Sequence, residues 1–204
     1  ALTNLGSIEH NTGNKQEGLS LLIKATEYDP QLAPAWGNLA NGYIQLGKTR
    51  EAEIACRKSI ELNPNLFNSH FLLGSMLIGQ KKLQDAEQSF RKTIELKPDF
   101  FQAHLNLGVV LNDLGQLQEA EIFTRKAIEL KPDYADAHYN LGIILKDVGK
   151  LQEAEISTRK AIEIKPAYAE AHLNLGIILT ELGKPQDAEL SYRKAIEIKP
   201  DIAE

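Results

Sequence analysis

An all-α fold of stacked antiparallel helix pairs is what this sequence predicts, on three observations. Prolines recur at Pro30, Pro64, Pro98, Pro132, Pro166 and Pro200, each 34 residues after the last. A fixed period of this size is the signature of a repeat array, in which each unit buries its apolar face on its neighbours. Between prolines, each unit holds two stretches with apolar residues at helical spacing, separated by a glycine. Finally, small residues recur in mid-helix at Gly6, Ala40, Gly74, Gly108, Gly142 and Gly176. A mid-helix glycine costs about 1 kcal/mol against alanine, so its recurrence implies two backbones in contact.

The unit from Ala135 to Tyr168 shows the elements most plainly. Ala137, Leu141, Ile144, Leu145 and Val148 form one apolar stripe, helix A, which Gly149 ends by accepting the left-handed conformation. Leu151, Ala154, Thr158, Ala161, Ile162 and Ile164 form a second stripe, helix B, which stops where Lys165-Pro166 forbids further helix. So short a link makes the pair antiparallel, with Gly142 expected under Ala154. Placing proline thirty-second gives units 33–66, 67–100, 101–134, 135–168 and 169–202, preceded by a partial unit 1–32. Together they predict one elongated domain over 1–204, a fragment of a longer protein. The third unit is irregular. Gly79 comes early and Lys81 stands where other units carry Gly47, Gly115, Gly149 and Gly183, so its helix A is expected to end early or to strain its turn.

A 34-residue helix-turn-helix unit with small residues at positions 8 and 20 and proline at 32 resembles the tetratricopeptide repeat, over the whole chain. The family's tryptophan at position 4 survives only as Trp36, with His70, His104, His138 and His172 elsewhere; its aromatic at position 24 survives as Phe90 and Tyr192. The resemblance implies a right-handed superhelix with helix A on the concave side, where positions 2, 5, 6, 9, 12 and 13 bind extended or helical peptides.

Composition narrows the function. The net charge of −5 argues against nucleic acid, which needs a basic surface. Arginine-lysine pairs do occur on helix B, but each arginine has a glutamate four residues before it, the pattern of a solvated helix face. No apolar run reaches the length of a membrane span. Cys56 is a lone cysteine expected to be buried, which fits a reducing compartment such as the cytoplasm. The histidines of neighbouring units would lie roughly 8–10 Å apart, too far to share a metal, and read as fillers of the aromatic's place. Neither cofactor nor metal is expected, and no hydrolase, protease or phosphate-loop motif marks the chain as an enzyme.

Binding then falls to helix A. Asn4, Asn38, Asn106, Asn140 and Asn174 share position 6, broken once by Leu72, and offer a donor and an acceptor at regular intervals to a peptide backbone. This resembles the asparagine ladder of the O-GlcNAc transferase repeats; a solvated polar residue is the plainer alternative. Leu105, Tyr139 and Leu173 at position 5 and Val109, Ile143 and Ile177 at position 9 add an apolar strip. Asp113, Asp136, Asp147, Glu170 and Glu181, against Lys146 alone, border it with negative charge, which favours a neutral or basic partner segment. The family's chaperone-binding clamp uses lysines, an arginine and asparagines at positions 2, 5, 6 and 9, and this chain lacks the cations. Only Asn38 and Asn41 fit its pattern, so that role is excluded.

Three classes remain. The leading one is a non-catalytic protein-interaction scaffold. The second is the substrate-presenting arm of a larger glycosyl- or other transferase. The third, an RNA reader of a related helical-repeat type, is disfavoured by the period and the acidic lining. The terminal pair, with Leu190, Ala195 and Ile198, lacks a polar capping helix, so self-association through the ends is also expected.

Overall fold

The computed structural model describes residues 14–203. Among them are eleven α-helices, a closing 3₁₀ turn at Pro200–Ala203 and no strand. Contacts divide the chain into two compact units, residues 1–98 and 99–204. The first contains α1 (Lys15–Tyr28), α2 (Ala33–Gln45), α3 (Thr49–Leu62), α4 (Phe67–Gly79) and α5 (Leu83–Leu96). The second contains α6 (Phe101–Asp113), α7 (Leu117–Leu130), α8 (Ala135–Asp147), α9 (Leu151–Ile164), α10 (Ala169–Glu181) and α11 (Pro185–Ile198). Asn4 and Gly6, on the first helix A expected from sequence, lie outside the described residues.

Each unit is a solenoid of helix pairs. Helix A packs on its own helix B in α2–α3, α4–α5, α6–α7, α8–α9 and α10–α11, and helix B packs on the next helix A in α1–α2, α3–α4, α7–α8 and α9–α10. Successive A helices also touch, α2 with α4, α6 with α8 and α8 with α10. The core is therefore a chain of small clusters. One joins Leu141, Leu145 and Ala154 to Ile178 of the following pair; another joins Leu105 and Ala127 to Ala137. Ala52, Ala86, Ala120 and Ala154 are fully buried, so the pairs approach closely at position 20.

The close approach differs in detail from the sequence expectation. A Cβ built on Gly142 meets Thr158 Oγ1 at 2.2 Å, while the carbonyl of Ala154 lies at 3.4 Å. The same pairing holds between Gly108 and Thr124, Gly74 and Phe90, and Gly176 and Tyr192. Glycine at position 8 thus makes room for the side chain at position 24, and alanine at position 20 lets the backbone behind it come near. Phe90, with no exposed surface, fills that room and meets Phe71 at 5.8 Å between ring centres.

Turns repeat as faithfully as helices. Lys150 N donates to Leu145 O and Gly149 N to Lys146 O, at 2.8 and 2.9 Å. These two bonds close a Schellman motif, which needs a left-handed residue at Gly149, φ 79°. Gly47, Gly115 and Gly183 do the same, and so does Lys81 at φ 59°. Helix α4 keeps the 13 residues of α2 and α6, so it does not end early; the irregularity is carried as strain at Lys81 instead. Lys82 N still reaches Leu77 O, and Lys81 N reaches Ile78 O.

Two stability outcomes follow from these geometries. Lys81→Gly should raise stability by about 1 kcal/mol, because the side-chain penalty for a left-handed residue, roughly 1–2 kcal/mol, exceeds the entropy glycine adds to the unfolded chain; a lowered denaturation midpoint would contradict this. Gly142→Ala should cost about 1–3 kcal/mol by overpacking, and adding Thr158→Ala should recover part of the loss. Additive effects in a double-mutant cycle would show that the two positions do not meet.

Candidate binding face on the helix A row

The helix A row of the second unit is built by α6, α8 and α10, which lie side by side. Equivalent positions on touching helices stand about one helix spacing apart, roughly 8–10 Å. Val109 and Ile143 are half-buried and Ile177 is 36% exposed, so position 9 forms a row of three apolar groups that keep some contact with solvent. Position 5 behaves differently. Leu105 is only 6% exposed and belongs to the cluster with Ala127 and Ala137, so it is core rather than lining. Tyr139 is half-buried with its ring 5.0 Å from that of Tyr168, and Leu173 is half-buried.

The asparagines do not form an even ladder. Asn38, Asn41 and Asn106 are half-buried, with no side-chain hydrogen bond to the described residues. Asn140 Nδ2 donates to Asp136 O at 2.8 Å, one turn back on its own helix, and its Oδ1 stays unused. Asn174 is 6% exposed and donates to Thr158 Oγ1 at 3.3 Å, so its amide is spent on packing.

The acidic border is also partly spent. Burial first, and then the hydrogen bond to Asp136, push the Tyr168 hydroxyl up; Tyr134 responds the same way to burial and to Asp136. Asp136 thus acts on both phenols. Asp147 pairs with Lys146 at 3.1 Å and Glu170 with Lys199 at 3.1 Å. Asp113 and Glu181 are exposed and carry no ion pair among the described residues, so the residual negative field sits at the C-terminal ends of α6 and α10.

The histidines take the place of the missing aromatic. Trp36 Nε1 donates to Pro30 O at 2.9 Å, and Nε2 of His70, His138 and His172 stands 2.8–3.0 Å from the carbonyls of Pro64, Pro132 and Pro166. A carbonyl only accepts, so Nε2 carries the proton. The link from one unit's proline to the next unit's helix A survives the change of ring. Cys56 is fully buried, and burial pushes its thiol up to about 12, with Glu53 adding to the effect; it is inert as a nucleophile.

Sequence reasoning left one feature out. Ile54, Ile122, Ile156 and Leu190 share position 22 on helix B and are 60–69% exposed. Their signal was an apolar side chain repeated off the buried stripe. Beside them runs a recess of about 640 Å³, floored by Leu141 and His138 and walled by Ile128 and Ile156. This recess opens between α7 and α9, away from the helix A row.

Ion pairs knit the helix B face. Each Arg57, Arg91, Arg125, Arg159 and Arg193 pairs with the glutamate four residues earlier. Lys150 crosses to Glu121 at 2.9 Å and Lys184 to Glu155 at 2.7 Å, tying each unit to the one before. Hydrogen bonds from Lys184 and Arg159 hold the Glu155 carboxyl below its ordinary range. For Glu121 burial alone would act upward, but the bonds from Lys150 and Arg125 outweigh it.

No helix among the described residues is long and apolar enough to cross a membrane. Models of the tetratricopeptide repeat match residues 1–32, 33–66, 71–135, 125–149 and 169–202, leaving only short gaps. No curated protein matches the chain. Among solved structures, YrrB, described as a TPR protein with an unusual peptide-binding site, is similar at 25% identity and a TM-score of 0.76, over 89% of this chain and 94% of that one. MamA is similar at 26% identity and a TM-score of 0.73, over 81% and 96%. PilF of Pseudomonas aeruginosa shares the fold at 19% identity and a TM-score of 0.86, over 100% and 92%.

The depressed carboxyls fix a pH dependence. A lowered folded pKa contributes stability above the unfolded value, about pH 4.3 for glutamate, and that stability is lost as pH falls through the folded value. Thermal melts from pH 7 to pH 3 should show the parent losing more stability than the Glu121→Gln, Glu155→Gln variant, the two curves converging at the acid end. Parallel curves would contradict the assignment.

Proposed function

Because the chain belongs to the tetratricopeptide repeat family, we propose that it is a non-catalytic protein-interaction scaffold whose second unit holds an extended segment of a partner protein on the helix A row. The observation that carries this reading is the alignment of Val109, Ile143 and Ile177 on three touching helices, with Asn106 and the free oxygen of Asn140 beside them. Apolar side chains of the segment seat on the row, while the amides meet its backbone. The peptide-binding site named for YrrB supports the same use of such a fold. Asp113 and Glu181, the carboxylates left without partners, favour neutral or basic segments over acidic ones.

The roles separate by substitution. Replacing Asn106 and Asn140 together by alanine should weaken every bound peptide to a similar degree, since each change removes backbone hydrogen bonds worth about 0.5–1.5 kcal/mol. Ile143→Asp should instead re-rank peptides, penalising apolar ones and favouring those with lysine or arginine. Asn174→Ala should act on stability rather than on binding, because that amide is buried against Thr158. Fluorescence anisotropy on an array of extended peptides of graded charge reads all three. Unchanged affinities in the Asn106, Asn140 variant would remove the helix A row as the binding face.

A further inference from the structure

We propose, resting on the helix A row of the second unit as the binding face, that the segment it holds is a polyproline II stretch with an apolar residue at every third position and a basic residue near each end. The conformation and the sequence period of the partner follow from the spacing of the row and from the groups left unbonded beside it.

Spacing comes first. Cα atoms of α6 and α8, and of α8 and α10, stand within 8 Å of each other. Helices packed so closely have axes roughly 8–10 Å apart, and that is the step from Val109 to Ile143 and from Ile143 to Ile177. A β-strand turns one face to the row at every second residue, about 6.7 Å, so it is out of register by the third helix. A polyproline II chain has three residues per turn and turns the same face to the row about every 9.3 Å, so it stays in register along all three. An α-helix laid across the row returns to the same face after seven residues, about 10.5 Å, and spacing alone leaves it in play.

The polar groups beside the row decide between the last two. The amide of Asn106 and the Oδ1 of Asn140 make no hydrogen bond within the described residues, and neither is buried, so both reach solvent. A polyproline II chain leaves its carbonyls and its non-proline N–H groups free to meet them, whereas an α-helix bonds its backbone to itself. Asn140 spends its Nδ2 on Asp136 O and can only accept, so the residue that meets it keeps its N–H and is not proline. Tyr139, one turn before Ile143, stacks at 5.0 Å on the ring of Tyr168, and both are half-buried. Fixed aromatic walls of this kind receive the turns of proline-rich segments. Asp113 and Glu181, one turn after Val109 and Ile177, are exposed and carry no ion pair among the described residues, so the two ends of the row call for basic residues.

The test is fluorescence anisotropy with labelled synthetic peptides on the 204-residue chain. One peptide carries leucine at every third position, proline and alanine between, and lysine at each end. A second has the same residues reordered with leucine at every second position, and a third is a helix-forming peptide with leucine at every seventh. The first should bind roughly tenfold more tightly than either of the others. Ile143→Ala should weaken it about tenfold, with unchanged circular dichroism because the side chain lies on the row. Glutamate in place of the terminal lysines should also weaken it, and Asp113→Asn with Glu181→Gln should abolish that difference. If the second or third peptide binds as tightly as the first, and Ile143→Ala weakens them all, the polyproline II inference is overturned while the row stands as the binding face. If no peptide binds, or if Ile143→Ala changes nothing, the row and the inference fall together.

Discussion

Everything in this molecule depends on how near helix A and helix B come to each other. With no side chain at Gly142 or Gly108, the backbone of helix A leaves room for Thr158 or Thr124, and the buried alanine at position 20 keeps helix B from being held off. The contact sets the tilt of each pair, and the tilt repeated through touching A helices creates a row. A bulkier residue there would disturb the helix A row as well as the local packing, because the row is only as regular as the pairs beneath it.

Much of this was legible in the sequence. The proline period placed helix boundaries, the glycine at position 15 placed the left-handed turn, and Lys81 announced the one turn that would be strained. The histidines were legible as stand-ins for an aromatic, and the hydrogen bond that His70, His138 and His172 each make to a proline carbonyl supplies the reason. What was not legible is which polar residues the fold consumes. Asn106 and Asn174 look identical in a repeat alignment, yet Asn174 meets the small hydroxyl of Thr158 and turns inward while Asn106 does not. Leu105 likewise joins the core because Ala137 of the next pair is small enough to receive it. Periodicity assigns a position to a face; the neighbouring unit's side chains decide whether that face is open.

The two faces of the second unit divide their chemistry. The helix A row carries apolar groups beside amides and a few unspent carboxylates, a mixture suited to a chain without fixed structure. The helix B face carries balanced ion pairs around isolated apolar side chains.

The turn at Lys81 has a separate consequence. Its strained backbone lies in an exposed link between α4 and α5, and the residues there are Lys81 and Lys82. Strain lowers the free energy of local opening at this hinge relative to the glycine hinges, and the side chains exposed when it opens are those that trypsin-like proteases recognise. Limited digestion would therefore find its first cut at the one hinge that has lost its glycine, releasing α5 from α4 while the helix pairs of the second unit remain intact.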